Sequence, residues 1–77
     1  MFEAFVLIQN EAGKGPSVAR SIGDLPGVAR VDVVTGPYDV IAKVEAASID
    51  ELGSLVLRPI QQVGGIIRTM TCPILRR

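Results

Sequence analysis

The chain is nearly one unit written twice, with a period of about 38 residues. Leu25-Pro26-Gly27-Val28-Ala29-Arg30 returns as Val63-Gly64-Gly65-Ile66-Ile67-Arg68, and Phe2, Ala4 and Val6 fall on Val40, Ala42 and Val44 at the same offset. Each half reads as a strand, a helix, a turn and a strand. A right-handed crossover between strands of one sheet is close to obligatory. Two such units in tandem therefore predict an α+β domain: a ferredoxin-like βαββαβ sandwich with a four-stranded antiparallel sheet under two helices.

The first strand is read over Phe2 to Gln9. Phe2, Ala4, Val6 and Ile8 point one way, and Phe5 and Leu7 the other, because side chains alternate across a strand. Pro16 suits a first helical turn, where its missing N–H is no loss. Val18, Ala19, Ile22 and Leu25 recur at helical spacing until Pro26-Gly27 stops the helix. Val28 to Thr35 reads as the second strand, with Arg30 and Asp32 on one face and Val31 and Val33 on the other. Tyr38 to Ala46 reads as the third.

Ser48-Ile49-Asp50-Glu51 has the pattern of a capping box. It opens a second helix whose buried stripe is expected at Leu52, Leu55, Val56, Ile60 and Val63. Pro59 is expected to kink or shorten that helix. Ile66 to Leu75 is the last strand, and Pro73, which has no N–H to donate, marks it as an edge. Strands one and three are then central.

The helices need one sheet face: Ala4, Val6, Val40, Ala42 and Val44. The other, with Phe5, Leu7 and Ile41 beside Lys43 and Arg30, is left without a cover. An apolar sheet face is buried in stable folds, so Phe5, Leu7 and Ile41 are expected to form a dimer interface. Size points the same way. Seventy-seven residues, 48% of them hydrophobic, make one domain over residues 1–77 with a small core. The single cysteine, Cys72, excludes an internal disulfide.

Charge and composition exclude several functions. Eight basic residues balance eight acidic ones, so the basic field of a nucleic-acid binder is missing. The basic pair Arg76-Arg77 reads as a solvated tail. No apolar run reaches the length of a membrane helix, the start lacks the features of a signal peptide, and the lone thiol fits a reducing compartment; the expected location is the cytoplasm. No cofactor or metal is expected, and neither is catalysis. There is no histidine to shuttle protons at neutral pH. Cys72 has no activating base nearby and reads as a small apolar residue. Asp50 and Glu51 are explained by the helix dipole, and Lys14-Gly15 lacks the spacing of a phosphate loop.

The duplication breaks at Thr35-Gly36-Pro37-Tyr38-Asp39. A tight hairpin favours Asn-Gly or Gly-Gly; Gly-Pro favours an open connection. A hydroxyl and a carboxylate stand at its ends, Gly36 allows close backbone approach, and Asp39 offers an acceptor to an ammonium group. The same residues also suit a plain turn, with Asp39 bonded to loop backbone and Tyr38 packed on a neighbour. Both readings stand at this level.

From Val34 to Ile41, through the capped helix, to Ile60 to Gly65 and Arg68-Thr69-Met70-Thr71, the sequence resembles the effector-binding domain of the Lrp/AsnC regulators, also called the RAM domain. The resemblance covers essentially the whole chain. It implies sheet-to-sheet dimers assembling into rings, commonly octamers, with small effectors, usually amino acids, bound between dimers. It implies effector contacts at Thr35, Gly36, Tyr38, Asp39, Thr69, Met70 and Thr71. Family regulators carry an N-terminal helix-turn-helix domain, whereas this sequence starts at its first strand and resembles the stand-alone members. The expected function is an amino-acid-binding and oligomerisation module, with a full-length Lrp/AsnC regulator as a candidate partner to be modulated by mixed assembly. The rival classes are a small dimeric ferredoxin-like enzyme and a ligand-free adaptor.

Overall fold

The computed structural model describes residues 1–75; Arg76-Arg77 lie outside the described residues. The observed order is β1 (Phe2–Asn10), α1 (Gly15–Gly23), β2 (Val28–Val33), β3 (Val40–Ala46), a second helical segment and β4 (Ile66–Pro73). The sheet runs β2-β3-β1-β4 with every neighbouring pair antiparallel. The expected fold is therefore the observed one, with β1 and β3 central.

Alternation along β1 and β3 separates the two faces. Ala4, Val6, Ile8, Val40, Ala42 and Val44 are each 1% exposed or less. They meet Val18 and Ile22 from α1, and Leu52, Val56 and Ile60 from the second helical segment, in one apolar cluster. A spacing of four places such side chains on one helical stripe. On the other face Phe5 is 41% exposed, and Leu7 and Ile41 are half-buried. Register carries this open face across the sheet: Leu7 stands between Ile41 and Met70, and Phe5 between Lys43 and Cys72.

The duplication survives as reciprocal packing. Gly27 and Gly65, the two turn glycines 38 apart, both have positive φ, +84° and +94°. A Cβ on Gly27 would stand 2.5 Å from Val56 Cγ2, and one on Gly65 would stand 3.3 Å from Val18 Cγ2. Val18 and Val56 are themselves equivalent positions of the two halves. Each half thus seats its turn against the helix of the other.

The second helical segment departs from the expected stripe. It comprises α2 (Ile49–Glu51), a π-helical stretch over Leu52–Leu57, and α3 (Arg58–Gln61). Leu55, expected in the core, is 59% exposed, and Val63 is only partly buried against the core. Pro59, expected to kink or shorten the helix, follows directly on the π-helical stretch, and α3 runs on past it to Gln61. A proline in an α-helix interior clashes with the carbonyl four residues back and leaves it without a donor. Here Arg58 N–H bonds to Gly53 O, five residues back, so the turn is already wider. The wider turn keeps Leu52, Val56 and Ile60 inward and carries Leu55 out.

The strands stop short of their expected ends, at Val33 rather than Thr35 and at Pro73 rather than Leu75; β3 starts at Val40 rather than Tyr38. The first helix is offset too, running Gly15–Gly23. Ser48 caps the second segment as expected, its Oγ accepting from Glu51 N–H at 3.2 Å. Removing such a cap costs about 1 kcal/mol. Ser48→Ala is therefore expected to lower the chemical denaturation midpoint by about that free energy, with an unchanged denaturant slope.

Candidate effector site at the sheet end

The connection between β2 and β3 sits at the sheet end formed by Val33, Val40, Asn10 and Ile66. Thr35, Gly36 and Pro37 are exposed; Tyr38 and Asp39 are half-buried. Val34 N–H donates to Asp39 O at 2.8 Å and closes the loop, while Asp39 N–H donates to Ile8 O at 2.8 Å. The open connection expected from Gly-Pro is thus held at its base by backbone bonds.

Asp39 is fixed more firmly than a loop residue of this kind requires. Its Oδ2 accepts from the backbone N–H of Asn10 at 2.9 Å. The carboxylate extends the β1–β3 pairing just beyond Val40, where the register of the two strands ends. This is the bonding of the plain-turn reading. It engages one oxygen and leaves Oδ1 without a protein donor among the described residues. Asp39 is therefore an oriented acceptor.

Asn10 lies one residue beyond the strand end expected from the sequence, and the sequence does not mark it as a site residue. It is the last residue of β1 and only 8% exposed. Nδ2 donates to Glu11 O at 2.8 Å, and Oδ1 is buried without a hydrogen-bond partner among the described residues. Extending the Ala4, Val6, Ile8 alternation by one step would have found it.

Of the final-strand residues implied by the resemblance, one meets the turn. Tyr38 Oη donates to Met70 Sδ at 3.6 Å. Thr69 and Thr71 are half-buried and pair with the buried Ile8 and Val6, whereas Met70 pairs with Leu7. Alternation puts the two threonines on the helix-covered side of the sheet and Met70 on the open side. The seven implied residues therefore divide between two faces of β4 and one loop, and Tyr38 joins the loop to the open face. No enclosed pocket forms among the described residues. The turn of one chain is a surface rather than a cavity.

The comparisons agree with this fold and place it in a family. The model of the Lrp/AsnC ligand binding domain matches residues 3–77, and the chain belongs to that family. An uncharacterised HTH-type transcriptional regulator of Pyrococcus furiosus is 37% identical over 71 residues, covering 88% of this chain and 47% of the relative. The chain spans about half the length of the curated regulators it matches. The crystal structure of TTHA0845 from Thermus thermophilus superposes with a TM-score of 0.91 at 38% identity, covering 100% of this chain and 96% of that one. A homocitrate synthase of Sulfurisphaera tokodaii also carries a match, 34% identical over 61 residues, which are 79% of this chain but 13% of the enzyme. This is a regulator-type ligand-binding domain. Among the described residues no helix is long and apolar enough to cross a membrane.

Proposed function

We propose that the chain is an amino-acid-binding and oligomerisation module that modulates regulators of amino-acid metabolism. One observation carries the reading: at an exposed turn, Asp39 is held by Asn10 N–H through one carboxylate oxygen and presents the other. An oriented anion of this kind matches the ammonium of a free amino acid, and a charge-assisted bond is about twice as strong as a neutral one. Thr35, Gly36 and Tyr38 border it. Met70 borders it through Tyr38, and Thr69 and Thr71 lie on the adjoining side of β4.

A lone turn cannot enclose a zwitterion. The reading therefore places the effector where the turn of one dimer meets the final strand of the next, in a ring, of which the octamer is the expected size. The dimer itself uses the open sheet face of Phe5, Leu7 and Ile41. Binding between dimers would stabilise that assembly by the effector's differential affinity for it. A unit of this size stands as one chain in TTHA0845, and a similar one forms a small part of a homocitrate synthase. Both support a module whose ligand binding is separable from DNA binding, and which acts on a full-length regulator by mixed assembly.

The two roles of Asp39 are separable. Asp39→Asn keeps an acceptor for Asn10 N–H but removes the charge, while Asp39→Ala removes both. Calorimetric titration with each of the twenty amino acids is expected to find one that binds the parent. Asp39→Asn should weaken it roughly ten- to hundredfold, the effect of losing about 1.5–3 kcal/mol of charged hydrogen bonding, with thermal stability kept. Asp39→Ala should lose stability as well. Equal affinity for the parent and Asp39→Asn would return Asp39 to the role of a turn residue.

A further inference from the structure

The connection Thr35-Gly36-Pro37 divides the chain into a first half, residues 1–34, and a second that begins at Tyr38. The sheet order β2-β3-β1-β4 alternates between them. Every strand ladder therefore joins one half to the other: β1 pairs with β3 and with β4, and β2 pairs with β3. No strand pairs within its own half. The turn glycines repeat the pattern. Glu45 N–H donates to Gly27 O and Glu11 N–H to Gly65 O, both at 2.8 Å and both across the division. The valines that crowd those glycines, Val56 and Val18, also stand on the opposite side of it.

A half taken by itself holds two strands with a gap between them that only a strand of the other half fills. Its ladder N–H and C=O groups need that strand, because buried backbone groups left unpaired are costly. None of these contacts requires the complement to lie in the same chain. The covalent link is weakly attached to the fold: Thr35, Gly36 and Pro37 are exposed. Among the described residues, a Cβ on Gly36 would meet nothing within 4 Å beyond its neighbours. The bonds that fix Asp39, from Asn10 N–H to its carboxylate and from its own N–H to Ile8 O, also join the two halves. They would survive if the second half came from another molecule.

We infer that the surface joining the halves is also an interaction surface for a second copy of this chain: two chains exchange their second halves and close into an intertwined dimer, with Thr35-Gly36-Pro37 extended as the hinge. The ladders, the shared core and both glycine seats are then made between chains rather than within one. Exchange of an identical element is a low-cost route to a dimer. Closed and exchanged forms hold the same contacts outside the hinge, so concentration during folding decides between them. A short linker presents a half with its own complement at an effective concentration in the millimolar range, and the two forms become comparable when the chain itself approaches about 1 mM. This surface is separate from the open face of Phe5, Leu7 and Ile41, and the inference does not depend on what binds the turn.

Two variants test it. The first traps the connectivity. Ala4 and Val44 stand opposite each other on the helix-covered side, and both are fully buried. Facing Cα atoms of an antiparallel pair lie about 4.5–5.5 Å apart, a separation that a disulfide spans. Ala4→Cys with Val44→Cys, in a Cys72→Ser chain, is refolded under reducing conditions at increasing concentration and then oxidised with diamide. Denaturing gels run without reductant should show almost only the intrachain bridge at roughly 10 µM, and a comparable amount of covalent dimer at about 1 mM. Two sheets stacked on their open faces lie about 10 Å apart with these positions turned outward, so that packing does not yield the interchain bridge.

The second variant removes the choice. Deletion of residues 35–37 leaves one residue between Val34 and Asp39, fewer than the two of the commonest hairpin loops. The chain then has to run on into a second molecule. In a Leu7→Asp background, which weakens the open face, the deletion should double the mass found by sedimentation equilibrium relative to Leu7→Asp alone, with native circular dichroism. Intrachain bridges alone up to about 1 mM would overturn the inference. So would a deletion chain that keeps both the native spectrum and the reference mass, or one with no folded state at any concentration.

Discussion

A folded Leu7→Asp chain is expected to sediment as a monomer at concentrations where the parent is a dimer. Leu7 is half-buried at the centre of the open face, between Ile41 and Met70, so a carboxylate there is tolerated in the free chain. Burying it against a second sheet is another matter. An unpaired buried charge costs about 3–5 kcal/mol, and a two-fold interface would contain two of them. One alone corresponds to more than a hundredfold in dissociation constant. Leu55→Asp is the control, since Leu55 is also large, apolar and exposed but lies on the helical side. A Leu7→Asp chain with native circular dichroism and the parent's oligomeric state would remove the open face from the assembly.

The second large effect concerns the fold itself. Gly27→Ala should lower stability by about 2–5 kcal/mol. A side chain in the left-handed region costs about 1–2 kcal/mol, and overpacking a filled site adds about 1–3 kcal/mol. Both apply here: φ is +84°, and a Cβ would stand 2.5 Å from Val56 Cγ2 and 3.0 Å from the backbone carbonyl oxygen of Glu45. The second neighbour cannot swing away, because Glu45 N–H donates to Gly27 O at 2.8 Å. In a domain of this size each kcal/mol moves Tm by roughly 4–8 °C, so a drop above 8 °C in a thermal scan is expected. Gly64→Ala, next to the equivalent glycine, is the comparison: among the described residues nothing beyond its chain neighbours lies within 4 Å of a Cβ there, and its effect should be small.

What the sequence disclosed follows a physical pattern. The repeat and the alternation of β1 and β3 revealed both crossovers, the strand order and the two faces, because these depend on period and chirality, which are local. Ser48 was legible for the same reason. Leu55 was not: its position depends on a π-helical turn wide enough to pass Pro59, and an assumed α-helical period puts it inside. At the candidate site the turn stood out as the break in the repeat. The bond from Asn10 N–H to Asp39 spans 29 residues of sequence, and no spacing rule reaches that far. The division of Thr69 and Thr71 from Met70 required only the alternation of β4, but the resemblance presented the three as one contiguous contact.

The pairing of β1 with β4 has a further bearing on how such a domain can be built into larger proteins. Ala4 lies opposite Pro73, and Ile74 N–H donates to Glu3 O at 2.9 Å, so the first and last strands begin and end at one pole of the sheet. The turn, Asp39 and Asn10 occupy the other pole, a strand length or roughly 27 Å away. Anything spliced ahead of Phe2 or behind Pro73 would share the first pole, leaving the second open whatever the fusion. A helix-turn-helix module or a synthase body joined there would enter at the pole opposite the candidate effector turn. On the proposed function, occupancy of the turn would have to reach such a module along the length of the strands or through the arrangement of whole copies.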